Sequence, residues 1–73
     1  MREISKRQLQ ALRGQFPRGT RVKLIQMDDV QAPPVGTNGT VQGVDDTGSI
    51  MVSWDNGSSL SAVYGEDKVR KDE

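Results

Sequence analysis

Residues 49–63 read SIMVSWDNGSSLSAV, and the fold is decided here. Ile50, Val52 and Trp54 alternate with Met51, Ser53 and Asp55, the period-two pattern of a strand with one buried and one solvated face. Asn56-Gly57 follows at once. That pair is the strongest short-range hairpin signal, and it predicts a type I′ turn with positive φ at both positions. Ser58–Val63 is then the returning strand. Trp54 falls in phase with Ile50 and Val52, so its ring is expected in the core rather than on a binding surface.

Working outward, Asp45-Asp46-Thr47-Gly48 is a turn with its glycine placed for a left-handed residue. Thr37–Val44 is a strand with Val41 facing inward, and Gly39 and Gly43 mark bulges or sharp bends. Residues 28–36 (DDVQAPPVG) contain two prolines and no alternation, which predicts a loop stiffened toward polyproline II. Thr20–Met27 is a further strand, with Val22 and Leu24 on one face and Arg21 and Lys23 on the other. Val69 belongs to a last short strand or helical turn. Short strands joined by glycine turns with no crossover helix predict a mainly β fold, a small antiparallel SH3-like barrel of four to five strands.

One short helix precedes the strands. Ser5 and Gln8 have capping-box spacing, Ile4 and Leu9 fall at hydrophobic-staple positions, and Gly14 sits where a glycine ends a helix. The expected helix, Ser5 to about Arg13, is too short to persist alone and must dock through Ile4, Leu9, Leu12 and Phe16. Residues 1–16 are thus read as a helix packed on a barrel of residues 17–73, a single domain without internal repeat. The expected core is Leu9, Leu12, Val22, Leu24, Val41, Val44, Ile50, Val52, Trp54, Leu60 and Val69.

Composition narrows the chemistry. The 73 residues contain no cysteine and no histidine. Disulfide frameworks, thiolate–imidazole zinc sites, histidine general bases and Ser-His-Asp or Cys-His nucleophiles are excluded. The acidic turns at 45–48 and 55–57 lack the ligand order of a calcium loop, and turn chemistry accounts for them. The glycines at 36, 39 and 43 do not form a phosphate loop. No catalytic residue, metal or cofactor is expected. With no apolar run long enough to span a bilayer and no signal peptide, the expectation is a soluble cytoplasmic protein, monomeric or weakly dimeric.

Formal net charge is zero, but the charges segregate. Residues 1–23 carry a local charge of +6, and residues 24–67 carry −7 with no basic group. Lys6, Arg7, Arg13, Arg18, Arg21 and Lys23 would serve a nucleic-acid module if they formed one patch. The plainer reading is that the basic helix docks near the acidic sheet of its own chain and neutralises it.

The runs PRGTRVKLIQMDD, APPVGTNGTVQGVDDTGSIMVSWDNGSSL and GED, over residues 16–70, resemble the bacterial domain of unknown function family 4314. That resemblance implies a small standalone protein, often in mobile or phage-related neighbourhoods, with no assigned activity. Val30 and Tyr64 stand where the family pattern more usually has proline. Gly19-Thr20-Arg21-Val22 with Gly36-Thr37-Asn38-Gly39-Thr40-Val41 is similar to the KOW motif, which implies RNA or ribosome contact. Val52-Ser53-Trp54-Asp55-Asn56-Gly57 with Tyr64 is similar to the substrate-binding domains of mind-bomb-type ubiquitin ligases, which implies peptide binding.

A non-catalytic interaction module is the resulting expectation. Long loops in compact domains are usually functional or disordered, and Pro33 and Pro34 argue for order. The expected contact is therefore Asp28, Asp29, Gln31, Pro33 and Pro34, with Tyr64 as the exposed ring. A protein or peptide partner is favoured over nucleic acid.

Overall fold

The computed structural model describes residues 4–72. Helix α1 spans Lys6–Gln15, followed by strands β1 (Arg21–Gln26), β2 (Asn38–Val44), β3 (Ile50–Trp54) and β4 (Lys68–Lys71). The strands form one antiparallel sheet in the order β3-β2-β1-β4. No helix among the described residues is long and apolar enough to cross a membrane.

Closure into a barrel is not seen, because β3 and β4 lie at opposite edges of the sheet without pairing to each other. The expected strand over Ser58–Val63 is reduced to a single bridge between Ile50 and Ala62. Its register explains why. Trp54 N–H donates to the Ser58 carbonyl and Ile50 exchanges both bonds with Ala62, so Leu60 would pair next with Val52. Instead the Leu60 carbonyl accepts the Trp54 indole N–H at 2.8 Å. A buried indole needs an acceptor, and here it takes one from the ladder.

The hairpin turn also differs from type I′. Gly57 has φ +93°, but no residue other than glycine has positive φ. Gly57 N–H donates to the Trp54 carbonyl at 3.0 Å, which closes a turn over 54–57 with a left-handed glycine behind it. That is a three-residue loop with its bulge at Gly57, so Asn56 needs no unusual torsion. Residues 45–49 repeat the arrangement, with Gly48 at φ +86°.

The core lies on one face of the sheet: Val22, Leu24, Val41, Ile50, Val52, Trp54 and Ala62. Leu12, Phe16, Met27, Val44 and Val69 pack against it. Leu9 and Leu60, expected inside, are only half-buried, and Ala62 takes a buried place through its bridge to Ile50. At Gly43 the sheet bulges as expected, the register slipping between Val41 and Gly43. Gly39 sits in regular pairing, and its role is close packing under Val52 and Trp54. A second bulge in β1, between Leu24 and Gln26, carries Ile25 beside Val69 and Phe16.

Helix α1 begins as its sequence requires. Ser5 Oγ accepts the Gln8 N–H and Gln8 Oε1 accepts the Ser5 N–H, each at 3.1 Å. It ends later than expected: Gly14 lies inside the helix and Phe16 is the C-cap, its N–H donating to the Leu12 carbonyl. The helix buries no residue fully. It is held by Leu12 and Phe16 on the core, by Ile4 against Gly48, and by Arg13.

Candidate functional site

β1 and β2 enclose the long loop, and both begin with the same turn chemistry. In Pro17-Arg18-Gly19-Thr20 the Pro17 carbonyl accepts Thr20 N–H at 3.1 Å and Thr20 Oγ1–H at 2.7 Å. In Pro34-Val35-Gly36-Thr37 the Pro34 carbonyl accepts the equivalent pair from Thr37, at 3.0 and 2.7 Å. Gly19 and Gly36 both have φ +94°, the positive torsion that a type II turn demands of its third residue. The ribbon then pairs symmetrically: Gly19 N–H to the Val41 carbonyl, Gly36 N–H to the Leu24 carbonyl, both at 2.8 Å. This short internal repeat, which the sequence reading missed, fixes the second mouth of the loop.

The loop itself is ordered by local bonds. Asp29 Oδ1 accepts Gln31 N–H at 2.8 Å, and the Asp29 carbonyl accepts Ala32 N–H at 3.0 Å. Pro33 is buried; Pro34 is exposed, its carbonyl closing the second turn. Asp28, Asp29 and Gln31 project to solvent. Between and beside them stand two apolar side chains that sequence reasoning did not single out: Val30 is fully exposed and Val35 largely so. Hydropathy in a window of mixed polarity gives no signal for an outward-facing valine.

Tyr64 does not join this surface. It lines an open groove of about 370 Å³ together with Leu12, Phe16, Ile25, Val63 and Val69, to which no residue of the 28–35 loop contributes. Trp54 is buried and hydrogen-bonded, as its phase with Ile50 predicts.

The six cations of the nucleic-acid set are distributed over several elements. Lys6 and Arg7 occupy the first turn of α1, and Arg18 lies at the exposed tip of the Pro17–Thr20 turn. Arg13 is held to the turn after β2, donating to the Val44 carbonyl and to Asp46 Oδ1 at 2.8 Å. Among the described residues the helix's one ion pair thus goes to the acidic turn after β2, not to the face of the sheet. Arg21 makes a two-pronged pair with Asp55, 2.9 and 2.6 Å, and also donates to Thr40 Oγ1. The guanidinium holds the Asp55 carboxyl below its ordinary value, and Asp55 in turn raises Arg21. Lys23 pairs across the ladder with Arg70, a neighbour on β4 that the sequence reading left out.

One carboxylate organises a turn. Asp45 Oδ1 accepts Thr47 Oγ1–H, Ser49 N–H and Thr47 N–H at 2.7, 2.9 and 3.0 Å. These bonds, that from the Thr47 hydroxyl above all, favour the ionised form and lower its pKa.

The chain belongs to the family described as a domain of unknown function (DUF4314), whose sequence model matches residues 5–72. No curated protein and no solved structure matches it.

Proposed function

We propose that this DUF4314 member is a non-catalytic interaction module whose 28–35 loop meets a protein or peptide partner. The observation that carries the reading is the pair of exposed valines, Val30 and Val35, on a loop anchored by buried Pro33. Apolar side chains held outward cost solvation in the free protein, and a partner that covers them recovers it. Asp28 and Asp29 frame the valines and would set which partners approach. Because the loop is already fixed by Asp29, Pro33 and the Pro34–Thr37 turn, little conformational entropy is lost on binding. We read the surrounding architecture as an SH3-like barrel with one seam open. In support, residues 62–68 carry the chain from a bridge on β3 to the ladder of β4, between opposite edges of the sheet.

The test compares three baits in pull-downs from native-host extract: the unaltered protein, Asp28→Lys with Asp29→Lys, and Val30→Ser with Val35→Ser. Each bait is first shown to be folded by circular dichroism and Trp54 fluorescence. A partner held by the unaltered protein and lost by both variants is the expected result. Full retention by both folded variants would refute the loop as the contact surface.

A further inference from the structure

We infer that the outward face of β1 and β4 binds the phosphate backbone of a double-stranded nucleic acid. This surface is distinct from the loop discussed above. Val22, Leu24 and Val69 turn to the core, so Lys23 and Arg70, one residue along, turn outward. They are direct cross-strand partners. Opposed side chains on neighbouring strands stand about 5 Å apart, and like charges at that spacing repel. Lys68, two residues before Arg70, extends the stripe beside Gln26.

None of these three cations forms an ion pair among the described residues. Among the described residues the ion pairs are Arg13–Asp46 and Arg21–Asp55 alone. Two carboxylates lie beside the stripe: Asp55, paired with Arg21, and Asp72, which accepts from the neutral Asn38 amide at 2.6 Å and keeps its charge. Arg21, Lys23, Lys68 and Arg70 against these two leave the face net positive. The remaining neighbour of Lys23 in the ladder is Asn38, which is neutral. A stripe of net positive charge, with Lys68 and Arg70 exposed and Lys23 half-buried, fixed on strands rather than on mobile loops, is complementary to a row of phosphates.

The aromatic residues decide between paired and unpaired nucleic acid. Single-strand binders stack bases on exposed rings. Here Trp54 is buried, while Phe16 and Tyr64 line the groove. None of the chain's aromatic rings lies on the outward face. What the face offers is charge, with Asn38, Thr40 and Ser53 as small polar neighbours. Contact is therefore with the backbone of a duplex and carries little base specificity. Lysines on an edge strand also have a purely structural use, warding off edge-to-edge pairing. In that case no duplex would be bound.

Fluorescence anisotropy separates the two. A labelled short duplex and the single strand of equal length are titrated with the full chain, with Lys23→Gln plus Arg70→Gln, and with Lys6→Gln plus Arg7→Gln. Three phosphate contacts give a slope of log affinity on log salt near −2.7, about a 40-fold loss between about 50 and 200 mM. The sheet variant should reduce that loss to about 3- to 4-fold, and the helix variant should leave it unchanged. Tighter binding of the duplex than of the single strand completes the expected result. Absence of duplex binding at low salt, an unchanged slope in the sheet variant, or preference for the single strand overturns the inference.

Discussion

Gly39→Ala adds one methyl group to a place with no room for it. A Cβ there would lie 2.6 Å from Val52 Cγ1, 2.8 Å from Trp54 Cε3 and 3.0 Å from the Ser53 carbonyl oxygen. Carbon pairs prefer about 3.5–4.0 Å, so relief needs movements of about 1 Å in two directions at once. Neither neighbour is free to give. Val52 and Trp54 are both buried on the strand that pairs with Gly39, and turning the indole would break its bond to Leu60. Overpacking of this kind costs about 1–3 kcal/mol, and loss of the indole bond adds about 1 kcal/mol. A domain of this size has roughly 4–11 kcal/mol in hand. Urea unfolding followed by the fluorescence of Trp54, the only tryptophan, reads the effect beside its cause. With a slope of about 1 kcal/mol per molar urea, the midpoint should fall by about 2 M or more. Gly14→Ala is the internal control. It is the same chemical change inside α1, with nothing within 4 Å, and should stabilise by about 0.5–1 kcal/mol. Equal midpoints for the two variants would refute the packing argument.

The turn after β3 discriminates its own geometry: Gly57→Val should cost about 1–3 kcal/mol through its φ of +93°, although nothing crowds the position. Asn56→Val should cost only about 1 kcal/mol, for its lost bond from Ser58 N–H, whereas a type I′ turn would make both substitutions severe in a thermal melt. Asp45 contributes to stability against acid. Its folded pKa lies below the ordinary 3.8, so its contribution is complete above that value and is lost as pH falls through the lowered one. Urea midpoints measured from neutral to acid pH should therefore decline less steeply for Asp45→Asn than for the unaltered protein.

What was legible in the sequence was local. The capping box of α1 is written in Ser5 and Gln8, three positions apart, and needs no tertiary contact. The alternation of Ile50, Val52 and Trp54 gives β3 and its buried face directly. Where the reading failed, a side-chain demand or a tertiary contact overrode the local pattern. The strand expected over Ser58–Val63 is interrupted by the Trp54 indole, whose demand for an acceptor has no signature in strand propensity. Gly14 looks like a stop signal, yet the helix continues to Gln15 and Phe16 caps it, with Leu12 and Phe16 packed on the core. The candidate site shows the same division. Pro33 and Pro34 marked the loop, but the outward valines depend on the path the loop takes, and the meeting of Lys23 with Arg70 on the pairing of β1 with β4.

The two Pro-x-Gly-Thr turns explain how a 73-residue chain can carry a long exposed loop at all. Each turn spends its threonine hydroxyl on its own proline carbonyl and delivers its glycine N–H to the opposite strand. The β1–β2 ribbon is thereby closed from both ends, and its register is set by turn torsions that do not involve residues 28–31. Those residues are left without a structural duty apart from the Asp29 bonds that shape the loop. The turns differ at one exposed position, Arg18 in the first and Val35 in the second. Equivalent geometry thus presents a cation at one end of the ribbon and an apolar side chain at the other. If the 28–35 loop is the contact surface proposed above, substitution at 28, 30 or 35 should change binding while leaving the fold in place.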